Sequence, residues 1–239
     1  MQRNYYLRRI FDLKISRYQQ MDPKIKELIE RTYHEQRSPE WLALRENMLT
    51  ASDAATALGV NPYETPDGLL IKKCGGRKFN GNEATNRGTI LEPIARDKYD
   101  AMFNRKSHEI GLVQHPKYPF LGGSPDGITE DGLLIEIKCP LTRKIEAKVP
   151  KYYIPQIQLL LEIMDLDECD FIQYRPPTDL PEEFVIVNVK RDREWFAKSL
   201  PVMEAFWQRV VEGRANGFRC EIVDEEPALE FKIPVCEVV

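Results

Sequence analysis

The stretch SPDGITEDGLLIEIKCP, Ser124 to Pro140, decides the fold, because it sets two short apolar runs on either side of a turn and puts charges inside both. Glu130, Asp131 and Gly132 predict a three-residue turn with Gly at the left-handed position. In the hairpin that results, residues whose numbers sum to 262 face each other, and Asp126 and Glu136 meet that condition. Their Cβ atoms are then about 4.5–5.5 Å apart. The twofold period of a strand puts Leu134, Glu136 and Lys138 on one face and Leu133, Ile135 and Ile137 on the other.

Two carboxylates that close repel, and opposed like charges destabilise a hairpin unless something cationic lies between them. A divalent cation is the economical answer. Hard oxygen donors on rigid strands, with no His or Cys among them, suit Mg²⁺ or Mn²⁺ and not Zn²⁺. Lys138 shares the face of Glu136 and can orient a water or stabilise a developing oxyanion. The hairpin alone leaves a second reading, a surface Glu136/Lys138 pair with Asp126 in ordinary Asp-Gly turn chemistry.

Working outward, Asp22 with Pro23 and Ser38 with Pro39 each supply a cap and first residue for a helix. TASDAATALG predicts a short helix stopped by Gly59, and Thr65, Pro66 and Asp67 open another that ends at Gly75 and Gly76. Residues 1 to about 75 are therefore expected to be mostly helical. In the segment from Thr89 to Phe103, Thr89 and Glu92 have capping-box spacing, and Pro93 either kinks a longer helix or marks a first turn. Three strands are expected from HEIGLVQH, FLGG and GLLIEIKC, then a helix from Tyr152 to Met164, then strands CDFIQYR and EFVIVNVK. A last helix from Arg193 to Gly213 contains Pro201. This order predicts one α/β domain with a central mixed β-sheet flanked by helices.

Composition bounds the rest. With 239 residues, 42% apolar and 30% charged, the chain can bury a core. No run approaches roughly 18 apolar residues, and the N-terminus lacks a secretory h-region, so an intracellular, soluble protein without a membrane partner is expected. The Arg-rich start also admits a transit peptide, though it holds a single Ser. The five cysteines are at least 16 residues apart, which excludes CxxC zinc sites and clustered iron–sulfur ligation. His34, His108 and His115 have no ligand spacing and read as core or surface residues. The net charge is −4, but six acids crowd the segment from Arg219 to the end, leaving the rest formally neutral. Two local basic runs, Lys72 to Lys78 and Lys138 to Lys151, are either groove linings for a polyanion or solvated faces.

Pro125 and Asp126, nine intervening residues, then Glu136, Ile137 and Lys138 resemble the PD-(D/E)XK nuclease superfamily. Flanking motifs narrow the resemblance to its phage lambda exonuclease, or YqaJ viral recombinase, family. RGTILEPIAR (Arg87 to Arg96) resembles the helix with an additional glutamate. GGSPDG and EIKCP resemble the core motifs, YIPQIQLLL (Tyr153 to Leu161) the glutamine-bearing helix, and WLALRENMLTAS (Trp41 to Ser52) the phosphate-contacting motif. The match runs from about Arg37 to Lys190.

The resemblance implies a restriction-endonuclease-like core and a Mg²⁺-dependent deoxyribonuclease, with Mn²⁺ able to substitute. It implies a 5′-to-3′ exonuclease on double-stranded DNA ends, acting in viral or phage-type recombination with a single-strand annealing protein, and a homotrimer. Asp126, Glu136 and the main-chain carbonyl of Ile137 would bind metal, Glu92 would hold a second metal or its waters, Lys138 would position or activate water, and Gln156 would contact the nucleophile or scissile phosphate. Arg45, Ser52 and Ser124 would grip a 5′-phosphate. Gln156 and Gln158 point about 200° apart on a helix, so one alone can serve, and the family match selects Gln156. Apart from the resemblance, Glu92 reads as a capping acid, and Arg45 and Ser52 read as groups beside helix starts. The rivals are a restriction- or repair-type endonuclease, a non-cleaving DNA-binding module, and a protein with a structural metal. The expected organisation is a helical extension over residues 1–36, a nuclease domain over 37–218 and an acidic tail over 219–239.

Overall fold

A computed structural model describes residues 21–30, 34, 36–75 and 83–216. The expected acidic tail and the first 20 residues lie outside them. Helix α1 (Pro23–Glu30) starts where Asp22 accepts from the Lys24 amide at 2.8 Å, and α2 (Pro39–Glu46) where Ser38 accepts from the Trp41 amide at 3.2 Å. Strand β1 (Leu49–Thr50) leads into a 3₁₀ turn (Ala51–Asp53) and the short α3 (Ala54–Ala57), which stops at Gly59 with φ +70°. Thr65 caps α4 (Pro66–Lys73).

Helix α5 (Glu83–Phe103) begins well before Thr89. The expected Thr89 capping box is therefore not a cap, and Pro93 sits inside the longer helix, where it removes the bond its N–H would give to the Thr89 carbonyl.

The expected central mixed sheet is present, and a second, smaller mixed sheet stands beside it. The larger has the order β2 (Ser107–His108), β5 (Gly127–Thr129), β6 (Leu134–Lys138), β7 (Glu168–Arg175) and β8 (Glu183–Lys190). Only β6 and β7 are parallel in it, joined by a second 3₁₀ turn (Lys151–Tyr153) and helix α6 (Ile154–Met164). The smaller pairs β4 (Leu121–Gly123) in parallel with β1 and antiparallel with β3 (Val113–Gln114). Thus HEIGLVQH is not one strand: His108 ends β2 in the large sheet, and Val113 opens β3 in the small one. The partners show the split: His108 pairs with Ile128 of β5, whereas Val113 pairs with Gly123 of β4.

The large sheet separates two cores. Leu134, Phe171 and Val189 face α6 and α7 (Arg193–Ala215), whereas Ile135, Ile137, Ile172 and Tyr174 face Leu91, Ala95 and Tyr99 of α5. Met21 and Ile25, before residue 37, pack into the first core. Helix α6 lies against both sheets, and Gly123 makes this approach feasible: a Cβ there would stand 2.7 Å from Leu160 Cδ2. Between the sheets the chain crosses from β4 to β5 through Ser124, Pro125 and Asp126. Among the described residues no helix is long and apolar enough to cross a membrane.

Candidate active site

The hairpin has the register its turn predicts. Gly127 pairs with Ile135 and Ile128 with Leu134, the Gly132 amide donates to the Thr129 carbonyl at 2.9 Å, and Gly132 has φ +85°. Extending that register by one residue sets Asp126 against Glu136, and the two sit beside each other at the mouth of the strand pair. Asp126 Oδ2 accepts from the Ile137 amide at 2.6 Å, so the contact Ile137 makes with this pair is through its N–H. The Asp126 carbonyl accepts from Arg96 Nη1 at 2.7 Å, which ties the residue to α5.

Glu136 is 1% exposed. Its Oε1 accepts from Lys138 Nζ and, at 2.6 Å, from Gln156 Nε2. Its Oε2 is buried without a partner. Burial pushes the Asp126 carboxyl well above the usual carboxylate range, and the Glu136 charge adds to the rise. Burial raises Glu136 too, against the opposing effect of Lys138. For Lys138, burial by itself favours the neutral amine, but Glu136 and Asp126 outweigh it and raise the ammonium above its ordinary value. An orphaned oxygen and two repelling, desolvated carboxylates are what a hard cation would relieve, so the donor set fits the divalent metal that the motif implies.

Glu92 approaches from α5 and adds to the negative field on both acids. Its Oε2, however, accepts from Arg37 Nη2 at 2.8 Å. Gln36, Arg37, Glu92, Arg96 and Asp126 line one recess. Among the described residues, no three His, Cys, Asp or Glu side chains are gathered at metal-ligand spacing. Asp126 and Glu136 are together, and Glu92 stands opposite them in an ion pair.

Gln156 and Gln158 diverge as a helix requires. Gln156 reaches Glu136, whereas Gln158 donates to the Lys190 carbonyl at 2.8 Å and accepts from the Asp192 amide at 2.7 Å, joining β8 to the start of α7.

Arg45, Ser52 and Ser124 come together although the sequence separates them widely. Arg45 Nη2 donates to Ser52 Oγ at 2.8 Å, its guanidinium lies 4.3 Å from the Trp41 ring centroid, and Trp41 Nε1 donates to Ser124 Oγ at 3.2 Å. Arg45, expected beside a helix start, is instead in the last turn of α2; Ser52 lies in the 3₁₀ turn after β1. Beneath them Asp53 accepts from the Thr50 hydroxyl at 2.6 Å and pairs with Lys73 at 2.8 Å. Burial would push the Asp53 carboxyl up, but Lys73 and Arg45 together hold it below the usual range. Burial lowers the Arg45 guanidinium. Arg45 is thus a half-buried cation with the Ser52 and Thr50 hydroxyls beside it, a setting that suits an anionic oxygen.

Sequence reading missed Arg37 and Arg96, which hold Glu92 and Asp126. Arg96 had a signal, since it lies four residues after Glu92 on one helix face; Arg37 had none. Of the expected basic runs, Lys72 pairs with Glu64 and Lys73 with Asp53, while Arg77 and Lys78 lie outside the described residues. His108 lies 3.2 Å from Glu130, and His115 Nδ1 accepts from two backbone amides.

A family model described as the YqaJ-like viral recombinase domain matches residues 40–167, more than half of the chain. An uncharacterised protein of Acanthamoeba polyphaga mimivirus is 35% identical over 63% of this chain and 31% of its own length. A protein of African swine fever virus is 32% identical over 52% of this chain and 45% of its own. This chain therefore spans less than half the length of these viral relatives. Among solved structures, an alkaline exonuclease from Laribacter hongkongensis is 28% identical with TM-score 0.65, covering 75% of this chain and 95% of that one. The same exonuclease in complex with dAMP aligns with 29% identity and TM-score 0.64.

Proposed function

The chain belongs to the YqaJ-like viral recombinase family, and on that premise we propose that it is a metal-dependent deoxyribonuclease degrading double-stranded DNA from 5′ ends in recombination. One feature of the hairpin carries this. Glu136 gives one oxygen to Lys138 and Gln156 and keeps the other buried and unpartnered beside Asp126, an arrangement that costs stability unless a cation lies there.

Asp126, Glu136, the Ile137 carbonyl and Glu92 would hold Mg²⁺, or Mn²⁺ in its place, which when bound supplies Lewis-acid stabilisation of the phosphoryl oxygens. The chain's own groups have separate tasks. Lys138, donating to Glu136, would hold the attacking water on the side of the scissile phosphate, and Gln156 would fix the Glu136 carboxylate and contact the nucleophile. Arg96 would keep Asp126 in register. Arg45, Ser52 and Ser124 would receive the terminal 5′-phosphate, with Trp41 supporting the guanidinium and the Ser124 hydroxyl. Because Ser124 and Asp126 are two residues apart on the crossing between the sheets, the proposed end-binding cluster would adjoin the carboxylates. A single-strand annealing partner and a ring of three protomers belong to the same proposal and are supported by family kinship.

Linear duplexes with 5′-phosphate or 5′-hydroxyl ends, and a closed circle, are incubated with protein and Mg²⁺. Progressive shortening of the phosphorylated duplex with the circle untouched is expected. Cutting of the circle would replace the exonuclease with an endonuclease.

A further inference from the structure

An aromatic run leads from the carboxylate hairpin to the surface. Lys138 Nζ lies 5.3 Å from the Tyr153 ring centroid. Tyr153 lies 4.5 Å from Tyr152 at an interplanar angle of 52°, and Tyr152 lies 5.5 Å from Tyr63 at 85°. Tyr63 is 77% exposed, yet its loop is preset. The Tyr63 amide donates to Asn61 Oδ1 at 3.0 Å, and Asn61 Nδ2 donates to the buried Thr56 hydroxyl at 2.7 Å.

Beside the inner ring, the Arg143 guanidinium is 6.0 Å from the Tyr153 centroid. Its Nη1 donates to the Lys144 carbonyl and Gln173 Oε1, while its Nη2 is buried with no partner. A buried, unused N–H of a cation calls for an anionic oxygen. The exposed Tyr63 ring, continued inward by the half-buried Tyr152 and Tyr153, calls for a flat apolar surface. An unpaired nucleotide supplies both, a base for the ring and a phosphate for the guanidinium. Bases inside a duplex are already stacked on each other and cannot use such rings.

We infer that Tyr63, Tyr152 and Tyr153, with Arg143, form a track that binds single-stranded DNA and brings one unpaired strand to Lys138. The track rests on the nuclease reading for its destination, but its binding requires no hydrolysis, and that separates the two.

The full chain is titrated without divalent metal against a fluorescent oligothymidylate of about ten nucleotides, read by anisotropy. Tyr63→Ala, at an exposed position, is expected to raise the Kd about 5- to 100-fold, the loss of one stacked base. Tyr63→Phe keeps the wild-type Kd. The wild-type protein binds an abasic strand of the same length as weakly as Tyr63→Ala binds the thymidylate. An unchanged Kd in Tyr63→Ala, or equal wild-type affinity for the abasic strand, overturns the track, the second without any variant having to fold. Hydrolysis is measured apart, with wild-type protein and Mg²⁺. If the Tyr63 dependence holds and no DNA is cleaved, the track stands and the nuclease reading fails; if DNA is cleaved and binding ignores Tyr63, the reverse holds.

Discussion

Removing the Arg45 guanidinium tests the end-binding cluster. Arg45 makes its contact to Ser52 at 2.8 Å from a half-buried position at the end of α2. A charge-assisted hydrogen bond to a phosphate is worth about 1.5–3 kcal/mol, so Arg45→Ala should cut the preference for a 5′-phosphate over a 5′-hydroxyl end by roughly 10- to 150-fold. The fold should hold, because Asp53 keeps Lys73 at 2.8 Å and the Thr50 hydroxyl at 2.6 Å when Arg45 is gone. Arg45→Lys should recover only part of the preference: an ammonium keeps the charge but lacks the planar fork that reaches Ser52 and lies over Trp41. The assay is the ratio of initial rates on duplexes that differ only in the 5′ group, under single-turnover conditions. A ratio unchanged in Arg45→Ala would refute the assignment, and a fall in both rates with a constant ratio would make Arg45 a general DNA contact.

Gly123→Ala sets a methyl 2.7 Å from Leu160 Cδ2 and 3.3 Å from Ala51 Cβ, and should destabilise by about 1–3 kcal/mol in urea unfolding; a neutral result would mean α6 does not pack as described. Asp53, held low by Lys73 and Arg45, contributes stability that is present above the ordinary carboxylate pKa of about 4 and lost as pH falls through its folded value. Asp53→Asn should therefore cost on the order of 3 kcal/mol at neutral pH and flatten the acid limb of Tm against pH, and an unaltered limb would remove Asp53 from that role. Gln158→Ala should lower Tm by loosening β8 from α7 while sparing the preference for a 5′-phosphate; lost preference with unchanged Tm would reverse the roles given to Gln156 and Gln158.

The central hairpin was legible because turn chemistry is local: Gly132 at positive φ fixes the turn, and the turn fixes the register that sets Asp126 against Glu136. The choice of Gln156 over Gln158 was legible in part, since helical geometry separates the two, although only kinship could select between them. What stayed hidden depends on contacts distant in sequence. The Leu49–Thr50 strand is too short to carry a period and exists because Leu121 and Gly122 lie alongside it. The passage of HEIGLVQH between sheets is set by its partners, β5 for His108 and β4 for Val113, which lie some 10 to 20 residues further along the chain. Glu92 stands on α5 near enough to add to the negative field on Asp126 and Glu136, but its partner Arg37 comes from 55 residues away. No local pattern marks such a pair. Ser38 and Pro39 mark the start of α2 in the sequence, but nothing local marks its end at Glu46, so the place of Arg45 in the last turn is not legible there.

The most direct measurement is the release of acid-soluble nucleotide from a linear 5′-phosphorylated duplex in the presence of Mg²⁺ by wild-type protein, Glu136→Gln and Lys138→Ala, with thermal melts beside it. Wild-type protein should release nucleotide at a rate that both substitutions abolish, with the variants still folding cooperatively. Failure of the wild-type protein to hydrolyse the duplex with either Mg²⁺ or Mn²⁺, or retained hydrolysis in both variants, would contradict the account.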